Sequence, residues 1–257
     1  MAQAMTSSIN KPAWVDLAST DAAGSRDFYS KLFGWDVQVN PDPQYGGYAL
    51  AKIGGQDAAG IGGAMDPNAP TAWSLYIGTD DIDALAQKVT EAGGTVAMAP
   101  FDVGDQGKMA VFVDPTGAFI SAWQGTRMGG FETTAPNSFG WAEINTRGVD
   151  KAIAFYTQVF GWTVRTSPMG EGQPDYNEFQ VDGNSIAGAV DIPADAPSEM
   201  QGGWQIYFAV PDVKAAFDKA IGLGAQQVFE PQDFPGGEFA IVTDPQGASI
   251  GLLKMAQ

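Results

Sequence analysis

Two short segments carry the residues best suited to chemistry: Trp14-Val15-Asp16 and Trp141-Ala142-Glu143, 127 positions apart. In an extended strand alternate side chains share a face, so each segment would set an indole beside a carboxylate. Such a pair can orient a flat organic molecule, or take up and return a proton. Composition removes most other chemistry. The 257 residues include no His and no Cys, which excludes thiolate nucleophiles, disulfides, Ser-His-Asp triads and every metal site built on imidazole. Lys+Arg 13 against Asp+Glu 30 gives a formal charge of −17, a field that repels phosphate backbones and anionic lipid surfaces. The expected partner is therefore a small molecule, with no nucleic acid, no membrane, no metal and no other cofactor.

The elements that must position these pairs repeat with them. Asp27-Phe28-Tyr29 recurs as Ala154-Phe155-Tyr156, and Leu32-Phe33-Gly34-Trp35 as Val159-Phe160-Gly161-Trp162. Ala72-Trp73-Ser74-Leu75-Tyr76 is answered by Gly203-Trp204-Gln205-Ile206-Tyr207, and Asp114-Pro115-Thr116-Gly117 by Asp244-Pro245-Gln246-Gly247. A Gly/Thr/Pro-rich stretch lies between the copies, so the expected organisation is a domain over 1–124, a linker over 125–136 and a second domain over 137–257. Within the first copy, periodicity predicts a strand over 12–18, a helix over 21–33 and short strands over 35–40, 47–53 and 57–65. A strand over 72–78, a helix over 80–93 and strands near 95–99, 108–113 and 118–124 follow. Each copy thus reads as two βαβββ units, four in the chain. The Gly60–Gly63 run reads as a strand bend. The N-terminus lacks the basic-then-apolar pattern of a signal peptide, and no apolar stretch is of spanning length, so a cytoplasmic location and a monomer or homodimer are expected.

These landmarks resemble the vicinal oxygen chelate superfamily, which includes glyoxalase I, bleomycin-resistance proteins and extradiol dioxygenases. The carriers are the FY…LFGW and FY…VFGW helix ends (Phe28 to Trp35, Phe155 to Trp162), the helix starts at Asp80 to Ala84 and Pro211 to Ala215, and the DPTG and DPQG turns. The tandem form is similar to the mycobacterial 27-kDa antigen group and to actinobacterial proteins labelled glyoxalase-like or hydroxylase. The resemblance implies an α+β fold of four βαβββ units forming two domains with curved, cup-shaped mixed sheets. It also implies where a metal would be held: on Trp14, Ser74 and Ser121 in one copy and on Trp141, Gln205 and Gly251 in the other. No position in either set is a histidine or a carboxylate. An all-oxygen site would have to draw on Asp16, Glu143 and Glu178, one acid per strand.

On that fold the cup would be lined by Trp14, Tyr45, Tyr48, Trp73, Tyr76 and Ser121 in the first copy, and by Trp141, Tyr176, Phe179, Trp204 and Tyr207 in the second. Asp16 and Glu143 are the candidate catalytic or orienting acids, since an inward carboxylate needs water, a partner or a function. Trp14 and Trp141 could wall a pocket or plug one. Trp35 and Trp162 read as packing anchors, and Trp123 as either core or lining. Two functions follow: metal-independent binding of a small hydrophobic or aromatic metabolite, as in the sequestration of a toxic natural product, or a glyoxalase-like lyase or isomerase or a biosynthetic hydroxylase or cyclase using a cup carboxylate as general base.

Overall fold

A computed structural model describes residues 8–66, 68–131, 133–170, 174–197 and 202–256. The first copy runs β1 (Pro12–Ser19), α1 (Ala22–Phe33), β2 (Asp36–Val39), β3 (Ala49–Ile53), β4 (Gln56–Gly63), β5 (Ala72–Gly78), α2 (Ile82–Glu91), β6 (Thr95–Val103), β7 (Gly107–Val113) and β8 (Phe119–Gly125). The second runs β9 (Phe139–Thr146), α3 (Val149–Phe160), β10 (Thr163–Ser167), β11 (Tyr176–Val181), β12 (Asn184–Asp191), β13 (Gly203–Ala209), α4 (Val213–Gly222), β14 (Gln226–Phe234), β15 (Gly237–Thr243) and β16 (Ser249–Met255). Four βαβββ units are present. Each copy forms one open eight-stranded sheet, in the order β2-β3-β4-β1-β5-β8-β7-β6 and β10-β11-β12-β9-β13-β16-β15-β14. Within a unit the first strand pairs with the last in parallel, as in β1 with β4 and β5 with β8, and the remaining pairs are antiparallel.

Local chemistry accounts for the helices. Asp21, Asp81 and Asp212 accept from backbone N–H groups of the first turns of α1, α2 and α4, and so satisfy otherwise orphaned donors. Helix α3 starts after Gly148, which has no side chain to offer; Asp191 from β12 supplies the cap, accepting from the N–H groups of Gly148 and Val149 at 2.9 Å each. Gly34 and Gly161 end α1 and α3 in the left-handed conformation, φ 73° and 70°.

The helix-facing core explains why Trp35 and Trp162 read as anchors. Tyr29 of α1 stacks with Phe33 and Trp35 and meets Trp73 edge-on. The corresponding set is Tyr156 with Phe160, Trp162 and Trp204. Each tyrosine hydroxyl reaches the aspartate of a DP-x-G turn: Tyr29 donates to Asp244 at 2.8 Å and Tyr156 to Asp114 at 3.0 Å. These bonds join the first βαβββ unit to the fourth and the second to the third. Accordingly the chain packs as two compact groupings that cross-cut the copies. One contains Leu75–Gly130 and Ala142–Trp204 with the segment ending at Trp14; the other contains Val15–Ser74, Phe131–Trp141 and Gln205–Gln257.

The indole N–H of Trp35 donates to the carbonyl of Asn137 at 2.8 Å, and the residue is 4% exposed. Trp35→Phe keeps most of the apolar area but strands that carbonyl, so it should cost about 1–3 kcal/mol. Urea unfolding at constant m-value measures this; an unchanged midpoint would show that the bond contributes nothing.

Candidate functional site

The two acids are held alike. Asp16 on β1 lies opposite Gly60 on β4, and the Tyr48 hydroxyl, entering from the start of β3, donates to its carboxylate at a long 3.4 Å. A methyl group on Gly60 would overlap that hydroxyl, and one on Gly62 would crowd the same ring. The glycine run is therefore a bed for Tyr48, a role that its reading as a strand bend missed. In the second copy Glu143 on β9 lies opposite Gly188 on β12. Its carboxylate accepts from the hydroxyl of Tyr176, the first residue of β11, and from the amide of Asn145 at 3.3 Å. The paired tyrosines, 48 and 176, turn two solitary acids into two tyrosine–carboxylate pairs.

Glu143 is half-buried, and burial pushes its pKa above the ordinary glutamate value, against the opposing influence of Tyr176 and Asn145. Desolvation wins because the two hydrogen bonds come from neutral groups, which stabilise the ionised form less than water does. A carboxyl so placed can hold its proton closer to neutrality and exchange it with a bound molecule. Glu178, two residues along the same face of β11 from Tyr176, is ion-paired with Arg165 and is committed there.

The other expected lining residues divide by strand parity. On β5, Tyr76 takes the face of Ser121, its register partner on β8. Trp73 points the opposite way: its indole donates to the Tyr29 hydroxyl at 2.9 Å inside the helix-facing core. Trp204 likewise donates to Tyr156 at 2.9 Å, and Phe179, fully buried, packs on Tyr156 and Trp162. Trp73, Phe179 and Trp204 are therefore removed from the lining. Tyr45 lies off the strands in a 3-10 turn, Pro43–Tyr45. Trp14 is 2% exposed, so it fills space rather than offering a wall. Trp141 is half-buried, packed with Phe239 against the buried cluster of Tyr207, Ile241 and Leu253. Trp123 is core: its indole donates to the Met128 carbonyl at 2.7 Å.

Donor chemistry at the positions where the resemblance would place a metal does not fit an ion. An indole offers no lone pair, Ser74, Ser121 and Gln205 offer neutral oxygens, and Gly251 offers no side chain, the ring of Tyr207 lying where one would project. Among the described residues no three His, Cys, Asp or Glu side chains gather as a metal-binding group. No helix of the described residues is long and apolar enough to cross a membrane. Two surface hollows are bordered by neither acid. One, of about 750 Å³, is bordered by Arg147, Pro174 and Asp191–Asp195; another, of about 350 Å³, by the start of α2 and the end of α3.

Comparison with known proteins agrees with this architecture. A family described as the Glyoxalase/Bleomycin resistance protein/Dioxygenase superfamily matches residues 11–121 and 138–252. CFP32 of Mycobacterium bovis, whose name carries a provisional glyoxylase label, is 39% identical over 254 residues, 95% of each chain. The anthracycline biosynthesis protein DnrV of Streptomyces peucetius is 35% identical over 263 residues, covering 96% of this chain and 94% of its own. Among solved structures, the 2,3-dioxygenase LapB from Pseudomonas sp. KL28 superposes with a TM-score of 0.67 at 15% identity, over 99% of this chain and 94% of LapB. The Mn(II)-bound glyoxalase from Novosphingobium aromaticivorans gives 0.65 at 17% identity, over 95% of this chain and 81% of that one. At such identities these two likenesses concern the fold alone.

Proposed function

This chain belongs to the Glyoxalase/Bleomycin resistance protein/Dioxygenase superfamily, and on that premise we propose that it binds a small, flat aromatic metabolite without the aid of a metal. The observation that carries this reading is the tyrosine–carboxylate pair beside an indole on β9, on a sheet whose ion-holding positions are filled by Trp141, Gln205 and Gly251. Indole and phenyl surfaces give stacking energy to a planar ligand, and the Glu143 carboxyl with Tyr176 gives a polar point that fixes its orientation. Likeness over nearly the full length to a protein named for anthracycline biosynthesis supports a polycyclic, oxygen-bearing aromatic as the ligand class. Within this reading, the segments 1–124 and 137–257 are the two domains and 125–136 joins them.

A second reading has its own support in the raised pKa of Glu143. Glu143, and Asp16 in the first copy, act as general bases on such a ligand, in a glyoxalase-like or biosynthetic reaction.

Titration with 1,4-dihydroxyanthraquinone, followed by tryptophan fluorescence with and without EDTA, tests metal-free binding. The expected result is saturable quenching that the chelator leaves unchanged. Absence of quenching across a panel of planar hydroxylated aromatics, or quenching abolished by EDTA and restored by a divalent ion, would sink the proposal.

A further inference from the structure

We infer that ligand binding belongs to the C-terminal copy alone, and that Gly251 and Leu253 are the residues that open it. This rests on the binding reading above and assigns it to one half of the chain.

The last strands, β8 and β16, are one element in two versions. Register places Ser121 beside Tyr76 on β8 and Gly251 beside Tyr207 on β16. Two residues further along the same face stand Trp123 on β8 and Leu253 on β16. The first copy thus presents hydroxymethyl and indole where the second presents hydrogen and isobutyl. Trp123 is also fixed: its N–H is tied to the Met128 carbonyl at 2.7 Å and the residue is 7% exposed. Leu253 has no polar atom to be tied.

Gly251 has a specific effect on Tyr207. The tyrosine ring lies directly over the glycine, in space that any larger residue would occupy with its Cβ. Laid back in this way, Tyr207 packs with Ile241 and Leu253, and Trp141 and Phe239 rest on that cluster while each keeps part of its surface accessible. The strand bearing Trp141 also bears Glu143, two residues on and on the same face. In the first copy the equivalent indole, Trp14, is closed off at 2% exposure. A flat molecule therefore finds half-open aromatic surface and a carboxyl along β9, and along β1 finds the indole already covered. The occupant this suits is a planar, polycyclic aromatic with an oxygen at its edge, able to stack on Trp141 and Phe239.

Isothermal titration of the full chain with 1,4-dihydroxyanthraquinone tests this, with thermal unfolding of each variant as a control on folding. The expected stoichiometry is one per chain. Gly251→Ser and Leu253→Trp, which install the first copy's residues, should each weaken binding by about tenfold or more, equivalent to about 1.4 kcal/mol. The reciprocal Trp123→Leu should leave affinity as it was. If Gly251→Ser fails to fold, Leu253→Trp and Trp141→Leu still report on the same surface. Two molecules bound per chain would overturn the inference while the binding reading stands, as would wild-type affinity in Leu253→Trp and Trp141→Leu. No heat and no quenching with the wild-type chain would remove both.

Discussion

Asp244→Ala is expected to lower the unfolding free energy by roughly 3–5 kcal/mol, the sum of a few buried donors left without an acceptor at about 1–3 kcal/mol each. Asp244 is 2% exposed. It accepts from the backbone N–H groups of Gln246 and Ala248 at 2.9 and 2.8 Å and from the Tyr29 hydroxyl at 2.8 Å. Trp73 in turn donates to Tyr29, so the hydroxyl is both donor and acceptor in one buried chain of hydrogen bonds. Burial, reinforced by the neighbouring Asp244 charge, holds the Tyr29 pKa well above its ordinary value. The phenol therefore keeps its proton and stays the donor throughout the working pH range. The same construction links Asp114, Thr116, Ala118, Tyr156 and Trp204, and Asp114→Ala should show a loss of similar size. Chemical denaturation measures both. A loss below about 1 kcal/mol for either would mean that water replaces the carboxylate at no cost, against the usual penalty for orphaned buried donors.

Glu143→Gln should change the pH dependence of stability as well as ligand affinity. The folded pKa of Glu143 is raised, so between the unfolded value and the raised one the native chain binds more protons than the unfolded chain. Stability then falls as pH rises through that window, the wild type paying for an ionised, poorly solvated carboxylate above it. Glutamine cannot ionise, so the variant should lose this fall and gain on the wild type at neutral pH. Thermal unfolding from pH 4 to 8 reads the difference, and parallel curves for the two proteins would contradict it. On the binding reading, Glu143→Gln should weaken the aromatic ligand by about 10- to 100-fold, the scale of a hydrogen bond to a charged group. On the catalytic reading, the same variant abolishes turnover and leaves binding mostly intact. One substitution therefore separates the two functions.

Much of the fold was legible because the determining signals are local. The helix over Ala22–Phe33 follows from an aspartate that can cap, apolar residues at helical spacing, and a glycine able to enter the left-handed region after Phe33. The same signals recur 127 residues later, and repetition alone implied two copies and four units. Within the site, the face shared by Trp14 and Asp16, and by Trp141 and Glu143, followed from strand alternation. Tyr48 and Tyr176 could be named as lining. Their partnership with the acids could not, because it depends on Gly60 lying across from Asp16 in a neighbouring strand.

Parity on β5, β11 and β13 was where sequence reasoning failed, for a definite reason. These strands carry large apolar or aromatic residues on both faces, Trp73 with Tyr76, Phe179 with Tyr176 and Trp204 with Tyr207, so alternation gives no hydrophobic contrast by which to orient them.

By itself the amino-acid order determined the elements and the indole-and-acid strand, which depend on residues within a few positions of one another, and also the doubling and the acidic, histidine-free chemistry, which are read by comparing segments and counting residue types without any knowledge of packing. Tertiary structure alone decided three further matters: that Tyr29 is answered by Asp244 rather than by Asp114, that Trp14 is covered while Trp141 is half-open, and that Tyr207 lies over Gly251. Each of these is a choice between near-equivalent partners far apart along the chain. The repeat makes those partners look alike in sequence, and only packing, through the space left by a missing side chain or taken by a larger one, tells them apart.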